Sequence, residues 1–332
     1  MTTSVVVVAH GNEPLLETCL TAVLADLTPD DEVVVVDNGV VGALPSLPGV
    51  RVLSPGRNLG FGAGCRLGVR EARGDDLVFV NSDAVARPGA VPALVAALDD
   101  PGTGLVCGCV VLSTDPERVN SVGNPVHVTG LSWAGGYLDR VEDHREPGDV
   151  AAVTGALFAT RREVWDLLGG MHDDFFLYYE DTDLSLRCWL AGLRVRYVPE
   201  AVAEHSYDFA RNPRKMYLLE RNRLMSVLTA YPGPVLRRAL PVLLVTEPLL
   251  LVLAARDGWA REKVAGWWWL VRHLPRLVRR RREVLRRDPR ALDDVLVTGL
   301  APRQVQAPPG LPLLDRAITR YWRAVWGTGH PG

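Results

Sequence analysis

An α/β fold, built on a mostly parallel sheet with helices on both faces and followed by a helical C-terminal extension, is what the sequence predicts. Three observations predict it. Short β-branched runs alternate with helical stripes over the first hundred residues, acidic residues stand where two of those runs end, and a sharp change of charge separates the last third. The run 4–9 is continuously apolar, as in a parallel strand buried on both faces. Residues 14–27 carry Leu15, Leu16, Cys19, Leu20, Val23, Leu24 and Leu27 on one helical stripe. A second strand over 32–36 ends at Asp37-Asn38-Gly39, and a third covers 50–53. Residues 58–72 read as a Gly-rich loop feeding a helix, 77–80 as a fourth strand ending at Asn81-Ser82-Asp83, and 91–98 as a helix after Pro88. This β-α-β-α order requires right-handed crossovers. The segment 105–160 is strand-like and turn-rich. A helix over 161–168 closes at Gly169-Gly170, another over 184–191 stops at Gly192, and a short strand over 194–198 ends at Pro199.

In such sheets ligands sit at the carboxyl ends of the strands, so Asp37 and Asp83 should face one crevice, which suggests nucleotide binding. The first strand ends in Ala9-His10-Gly11-Asn12-Glu13, which does not match the G-x-G-x-x-G of a dehydrogenase-type dinucleotide fold. An Asp beside a diphosphate suits a hard cation, because Mg²⁺ and Mn²⁺ take one or two carboxylates and fill the remaining positions with phosphate oxygens. The competing reading is that Asp37 and Asp83 only cap turns.

With 31 Gly and 24 Pro scattered over 332 residues, disorder and collagen-like repeats are excluded, and 5 Cys without metal spacing read as reduced thiols. The net charge of −2 hides an asymmetry. Residues 1–210 hold 14 Arg against 30 acidic residues, a net −16, while 211–332 hold 23 basic against 9 acidic residues, a net +14. The basic part contains Trp267-Trp268-Trp269 followed by Arg272, Arg276, Arg279 to Arg282, Arg286, Arg287 and Arg290, with leucines between them. Indoles at headgroup depth and arginines toward anionic lipid describe an interfacial helix. The alternative packs that Leu/Trp face on the acidic half or on a second copy in a homodimer. No nucleic-acid motif accompanies the Arg run, so no nucleic-acid partner is expected. The apolar stretch 240–255, interrupted by Pro241, Glu247 and Pro248, reads as too short to span a bilayer. The first residues lack a charged region and a long apolar run, so no signal peptide is expected. The expected location is therefore cytoplasmic, peripheral on the inner membrane face.

Taken together, several ordered motifs resemble those of the family-2 glycosyltransferases of the GT-A fold, especially bacterial rhamnosyltransferase-like members. They are V-V-V-D-N at 34–38, R-N-L-G-F-G-A-G at 57–64, F-V-N-S-D at 79–83, T-G-A at 154–156, G-G-M-H-D-D-F-F-L-Y-Y-E-D-T-D-L-S-L-R at 169–187, V-P at 198–199 and E-H at 204–205. The resemblance, which covers about residues 4–210, implies a catalytic domain over 1–212 and an inverting enzyme, while the basic, Trp-rich region 213–332 is expected from its composition to associate with a membrane. It would move a sugar, L-rhamnose from dTDP-rhamnose in the favoured case, from a nucleotide-sugar donor to a saccharide or polyprenyl-linked acceptor in envelope or polysaccharide synthesis. By the same resemblance Asp37, Arg57, Asn58, Gly60, Asn81 and Asp83 bind the donor, the loop glycines bringing the backbone close to the nucleotide. Asp83 and His205 hold Mg²⁺ or Mn²⁺, Asp181 is the general base, and Glu180 positions acceptor or base. Asn81 departs from the family's D-x-D motif by replacing its first carboxylate. Trp133, Gly155 and Tyr179 are weaker candidates for the acceptor groove. Asp183 is expected to pair with Arg187 on the helix surface or to cap the helix. The rival readings are a UDP-hexose donor with a different acceptor, and a degenerate non-catalytic binding subunit.

Overall fold

The structure is a computed structural model and describes residues 1–206, 214–285, 292, 294–300 and 310–326. It divides into two compact units. The first comprises Met1–Asn124, Ala134–Cys188 and Leu193–Asp208; the second comprises Pro125–Trp133, Trp189–Gly192 and Phe209–Gly332. The boundary expected at 212 lies outside the described residues.

The first unit is laid down in the predicted order: β1 (Thr3–Gly11), α1 (Leu16–Ala25), β2 (Glu32–Val40), β3 (Val50–Leu53), α2 (Phe61–Glu71), β4 (Asp76–Asn81), β5 (Ala84–Ala86) and α3 (Ala90–Ala96). β3, β2, β1 and β4 pair in parallel, and the Val5–Ala9 run is fully buried between helical layers. α2 lies close on β1 because of its glycines: a Cβ on Gly68 would stand 2.4 Å from Val6 Cγ1. Beyond β4 the sheet becomes mixed. It takes in β6 (Thr103–Leu112), β7 (Asp115–Ser121), β9 (Gly148–Asp149), β10 (Leu157–Arg161) and β11 (Arg194–His205), while the two-residue β8 (Val126–His127) belongs to the second unit. β10 runs antiparallel to both β4 and β6, and so brings Ala156 beside the end of β4. α4 (Arg162–Leu168) ends at Gly169 in the left-handed conformation, as its sequence predicts.

Two element limits and one side-chain environment differ from the sequence reading. β11 continues past Pro199 to His205, because a register shift between Val198 and Val202 accommodates the missing N–H. α5 (Glu180–Leu190) starts four residues early, so Glu180 and Asp181 sit in its first turn. Asp183 is neither a cap nor a surface residue. It is fully buried, and its carboxylate accepts from Arg187 Nε at 2.8 Å while Arg187 Nη2 also donates to Gly170 O at 2.8 Å. All five cysteines are free and buried.

The second unit is helical: α6 (Lys215–Ala230), α7 (Gly233–Arg256), α8 (Ala260–Arg272), α9 (Leu274–Val284) and α10 (Leu311–Trp326), with β12 (Leu296–Val297) paired to β8. α7 is a correction to the sequence reading. It runs 24 residues through both prolines, long and apolar enough by length and composition to cross a membrane. Its Glu247, however, is tied into a buried ion cluster. Lys263 Nζ lies 3.0 Å from Glu247 Oε2, Arg223 bonds both Glu220 and Glu247, and Trp267 Nε1 donates to Glu247 at 3.0 Å. Burial alone would raise the Glu220 carboxyl, but the Arg223 and Lys263 charges outweigh it and bring it down to about 2. Arg223 and Lys263 are thus neutralised by Glu220 and Glu247 inside the unit, which leaves its net basic excess on other residues. The arginine stretch is split between α8 and α9: Arg272, Arg276, Arg279 and Arg282 are exposed, Arg280 is buried, and Arg286, Arg287 and Arg290 lie outside the described residues.

Candidate active site

The short strand β5 pairs antiparallel with the end of β11, Ala84 opposite His205, and Ser206 N donates to Asp83 O at 3.0 Å. Two residues 122 apart in sequence are thereby fixed side by side, with His205 Nε2 3.1 Å from Asp83 Oδ1. That spacing suits two neighbouring ligands of one octahedral cation, since bonds of ~2.1 Å at right angles put donor atoms about 3.0 Å apart. The carboxylate oxygen suits either Mg²⁺ or Mn²⁺, and the imidazole nitrogen favours the softer Mn²⁺ of the two. Among the described residues no set of three or more His, Cys, Asp or Glu gathers around a common centre. Asn81 stands half-buried at the tip of β4, its N–H donating to Ala156 O at 3.0 Å.

One residue before Ala156, Gly155 N donates to Asp181 Oδ2 at 3.0 Å. The Asn81–Ala156 and Gly155–Asp181 bonds therefore put the base candidate and the strand-tip cluster on the same edge of the sheet, joined by adjacent residues of one strand lead-in. Asp181 Oδ1 accepts from Thr182 N at 2.6 Å, and Ser185 Oγ ties back to Asp181 O at 2.7 Å. Burial raises the Asp181 carboxyl above the usual range, against the pull of the Thr182 and Gly155 hydrogen bonds. A carboxylate made more basic in this way, and fixed by hydrogen bonds from Gly155 N, Thr182 N and Thr182 Oγ1, is suited to take a proton.

Glu180 is buried on the side facing α2, where its Cβ lies 3.5 Å from the point a Cβ on Gly62 would occupy. Burial, then the Asp181 and Asp183 charges, push its carboxyl up to about 8, and its Oε2 has no hydrogen-bond partner among the described residues. The folded chain thus holds a proton that the unfolded chain releases above about 4.3, so native stability falls as pH rises through that window toward 8. Glu180→Gln is expected to raise the melting temperature relative to the parent at pH 8, and to have a much smaller effect at pH 5. Thermal denaturation at the two pH values reads this.

The segment before α5 is strained. Phe176, Tyr178 and Tyr179 all have positive φ, at 61°, 69° and 70°. Leu177 N donates to Phe175 O at 2.7 Å, closing a γ-turn of the rare positive-φ kind around Phe176. Such strain persists only where the surroundings impose it, and here the 57–64 loop does so: Phe61 N donates to Phe176 O at 2.7 Å. Gly60, at φ +83°, lies so close that a Cβ there would be 2.2 Å from Phe176 O. The loop glycines make their close approaches to protein: Gly60 to Phe176, Gly62 to Met171, Gly64 to Val8. Asn38 holds the loop from the other side, Nδ2 donating to Asn58 Oδ1 at 3.0 Å and Oδ1 accepting from Leu59 N at 2.7 Å. Gly60→Ala is expected to break this latch and lower turnover at least tenfold while the sheet stays folded; steady-state kinetics beside circular dichroism reads it.

Of the remaining candidates, Asp37 does cap its turn, Oδ1 accepting from Gly39 N at 3.2 Å and Val40 N at 3.0 Å, while Oδ2 accepts from Ser54 Oγ at 3.3 Å. Arg57 is exposed on the loop. Tyr179 is buried, and its carbonyl accepts from Asp183 N at 2.8 Å. Trp133 is half-buried and belongs to the second unit. Sequence reasoning passes over three site residues. Asn38 stands inside one of the family motifs, His10 (Nδ1 2.9 Å from Asn38 O) is the penultimate residue of β1, and Asn120 contacts His205 with no local sequence signal.

A mixed sheet with these carboxylates at the strand tips has the GT-A fold. It matches GalNAc-T7 solved with UDP, GalNAc and Mn²⁺ at a TM-score of 0.57 and 18% identity, over 70% of this chain and 48% of that one. It also matches the mannosyltransferase PcManGT of Pyrobaculum calidifontis, solved with GDP-Man and Mn²⁺, at 0.50 and 18%, over 85% and 84%. Residues 4–168 match the family described as Glycosyl transferase family 2, and that segment belongs to the family. Asp181 and His205 lie beyond the matched segment. A curated relative, the N-acetylglucosaminyl-diphospho-decaprenol L-rhamnosyltransferase of Mycobacterium tuberculosis, is 29% identical over 63% of this chain and 78% of its own length. Of another curated relative, from Sinorhizobium fredii, the chain spans 22%.

Proposed function

We propose that the protein is an inverting, metal-dependent glycosyltransferase that moves L-rhamnose from dTDP-rhamnose to a hydroxyl of a lipid-linked saccharide. The observation that carries the reaction is the junction at Gly155-Ala156, which ties Asp181 and the tip of β4 to one edge. Asp83 and His205 would hold Mg²⁺ or Mn²⁺, which when bound neutralises charge on the departing diphosphate. Asp181 accepts the acceptor's O–H proton as that oxygen bonds the anomeric carbon. The carbon–phosphate oxygen bond breaks, and the electron pair leaves with the nucleoside diphosphate. The Asp37 carboxylate and the Arg57–Gly60 loop contribute to donor binding. The rhamnosyltransferase relative and the rhamnosyltransferase-like motifs support this donor and acceptor. A panel of dTDP-rhamnose and UDP-hexoses, read by acceptor-dependent release of nucleoside diphosphate, tests them. Release from dTDP-rhamnose supports the assignment, and release from a UDP-hexose alone replaces the donor.

The second unit is proposed to bind an anionic membrane surface on the cytoplasmic side. Val264, Trp268 and Val271 form an exposed i, i+4, i+7 stripe on α8; Leu244 and Val252 are exposed on α7; Arg276, Arg279 and Arg282 are exposed on α9. Each basic residue near such a surface is worth about 1 kcal/mol, so reversing those three arginines should weaken binding by over 100-fold. Sedimentation with anionic and with neutral vesicles reads this, and equal binding of parent and variant refutes it.

A further inference from the structure

We infer that Asn120 is a positioning residue that fixes His205 in the tautomer able to bind a cation. The inference rests on the reading of Asp83 and His205 as the metal pair. Asn120 lies on β7, whose pairing with β6 is irregular at this point: Ser121 is opposite Val110 and Val119 opposite Val111, so Asn120 is the extra, bulged residue. Bulges of this kind re-aim a side chain beside a functional site. Three consecutive residues, Val119, Asn120 and Ser121, are buried, against the in-and-out alternation of a regular strand.

The re-aimed amide meets His205. Asn120 Oδ1 lies 3.2 Å from His205 Nδ1, on the ring edge opposite the 3.1 Å contact between Nε2 and Asp83 Oδ1. Both ring nitrogens thus face oxygens, while a neutral imidazole has one N–H to give. With Asn120 Oδ1 accepting a hydrogen bond from Nδ1–H, Nε2 presents a lone pair beside the Asp83 carboxylate, an arrangement that a cation between or beside the two atoms satisfies. Removal of the outer hydrogen-bond partner of a metal-binding His typically weakens metal affinity 10–100-fold.

The test measures Mn²⁺ affinity in the presence of dTDP, from the electron paramagnetic resonance signal of free Mn²⁺, for the full chain and three variants. Asn120→Leu should weaken Mn²⁺ binding roughly 10–100-fold, and Asn120→Asp, which keeps an acceptor oxygen, should restore it to within a few-fold. A purely packing role would not be rescued this way, since it predicts equal loss in both variants. Parent-like affinity in Asn120→Leu, with His205→Ala impaired, overturns the positioning role alone. Parent-like affinity in His205→Ala overturns the metal pair itself and the inference with it.

Discussion

Asp181→Asn is expected to slow sugar transfer by roughly 10²–10⁴-fold while leaving donor binding within a few-fold of the parent. The amide matches the carboxylate in size and keeps an oxygen for Gly155 N or Thr182 N, so the first turn of α5 should stay in place. What is lost is the capacity to take up a proton. The same group sets the pH dependence. Because burial raises the Asp181 carboxyl, the base is lost on acidification at a higher pH than an ordinary aspartate near 3.9 would give. The acidic limb of kcat/KM should be displaced upward accordingly and should disappear in the variant. Calorimetric titration with dTDP beside initial-rate measurements separates the two effects: loss of turnover with unchanged binding supports the base, and parallel loss of both does not.

Asp83→Asn is the second large effect. The carboxylate is the only negative charge in the pair it makes with His205, and charge neutralisation at a leaving diphosphate is worth several kcal/mol. At 1.36 kcal/mol per decade this becomes a loss on the order of 10²–10³ in turnover at fixed Mn²⁺, partly recovered at high Mn²⁺. The backbone bond from Ser206 N to Asp83 O remains, so the β5–β11 register should survive. A metal titration of the rate reads both numbers, and a rate independent of Mn²⁺ in parent and variant alike would remove the metal from the reaction.

The parallel half of the sheet was legible because buried parallel strands are written as unbroken valine runs, as at Val5–Val8 and Val33–Val36. The candidate site was proposed from contiguous motifs, and of its members the structure brings Asp83 and His205 to 3.1 Å. What was not legible depends on long-range pairing. A bulge that turns Asn120 inward leaves no mark within its own strand, and the register shift that carries β11 past Pro199 is set by β6. The early start of α5 depends on left-handed residues that the packing of Gly60 imposes. The charge asymmetry indicated a basic second half, yet it could not reveal that Arg223 and Lys263 are buried against Glu220 and Glu247. Helix α7 was undervalued because its prolines read as interruptions, whereas Glu247 faces the ion cluster and leaves Leu244 and Val252 outward.

A single base acting opposite a metal-held leaving group permits only one displacement at the anomeric carbon. The stereochemistry of the product is therefore the most direct measurement. Proton NMR of the newly formed glycoside should give the anomeric configuration opposite to that of the donor. Retention of the donor's configuration would contradict Asp181 as the base in a one-step transfer.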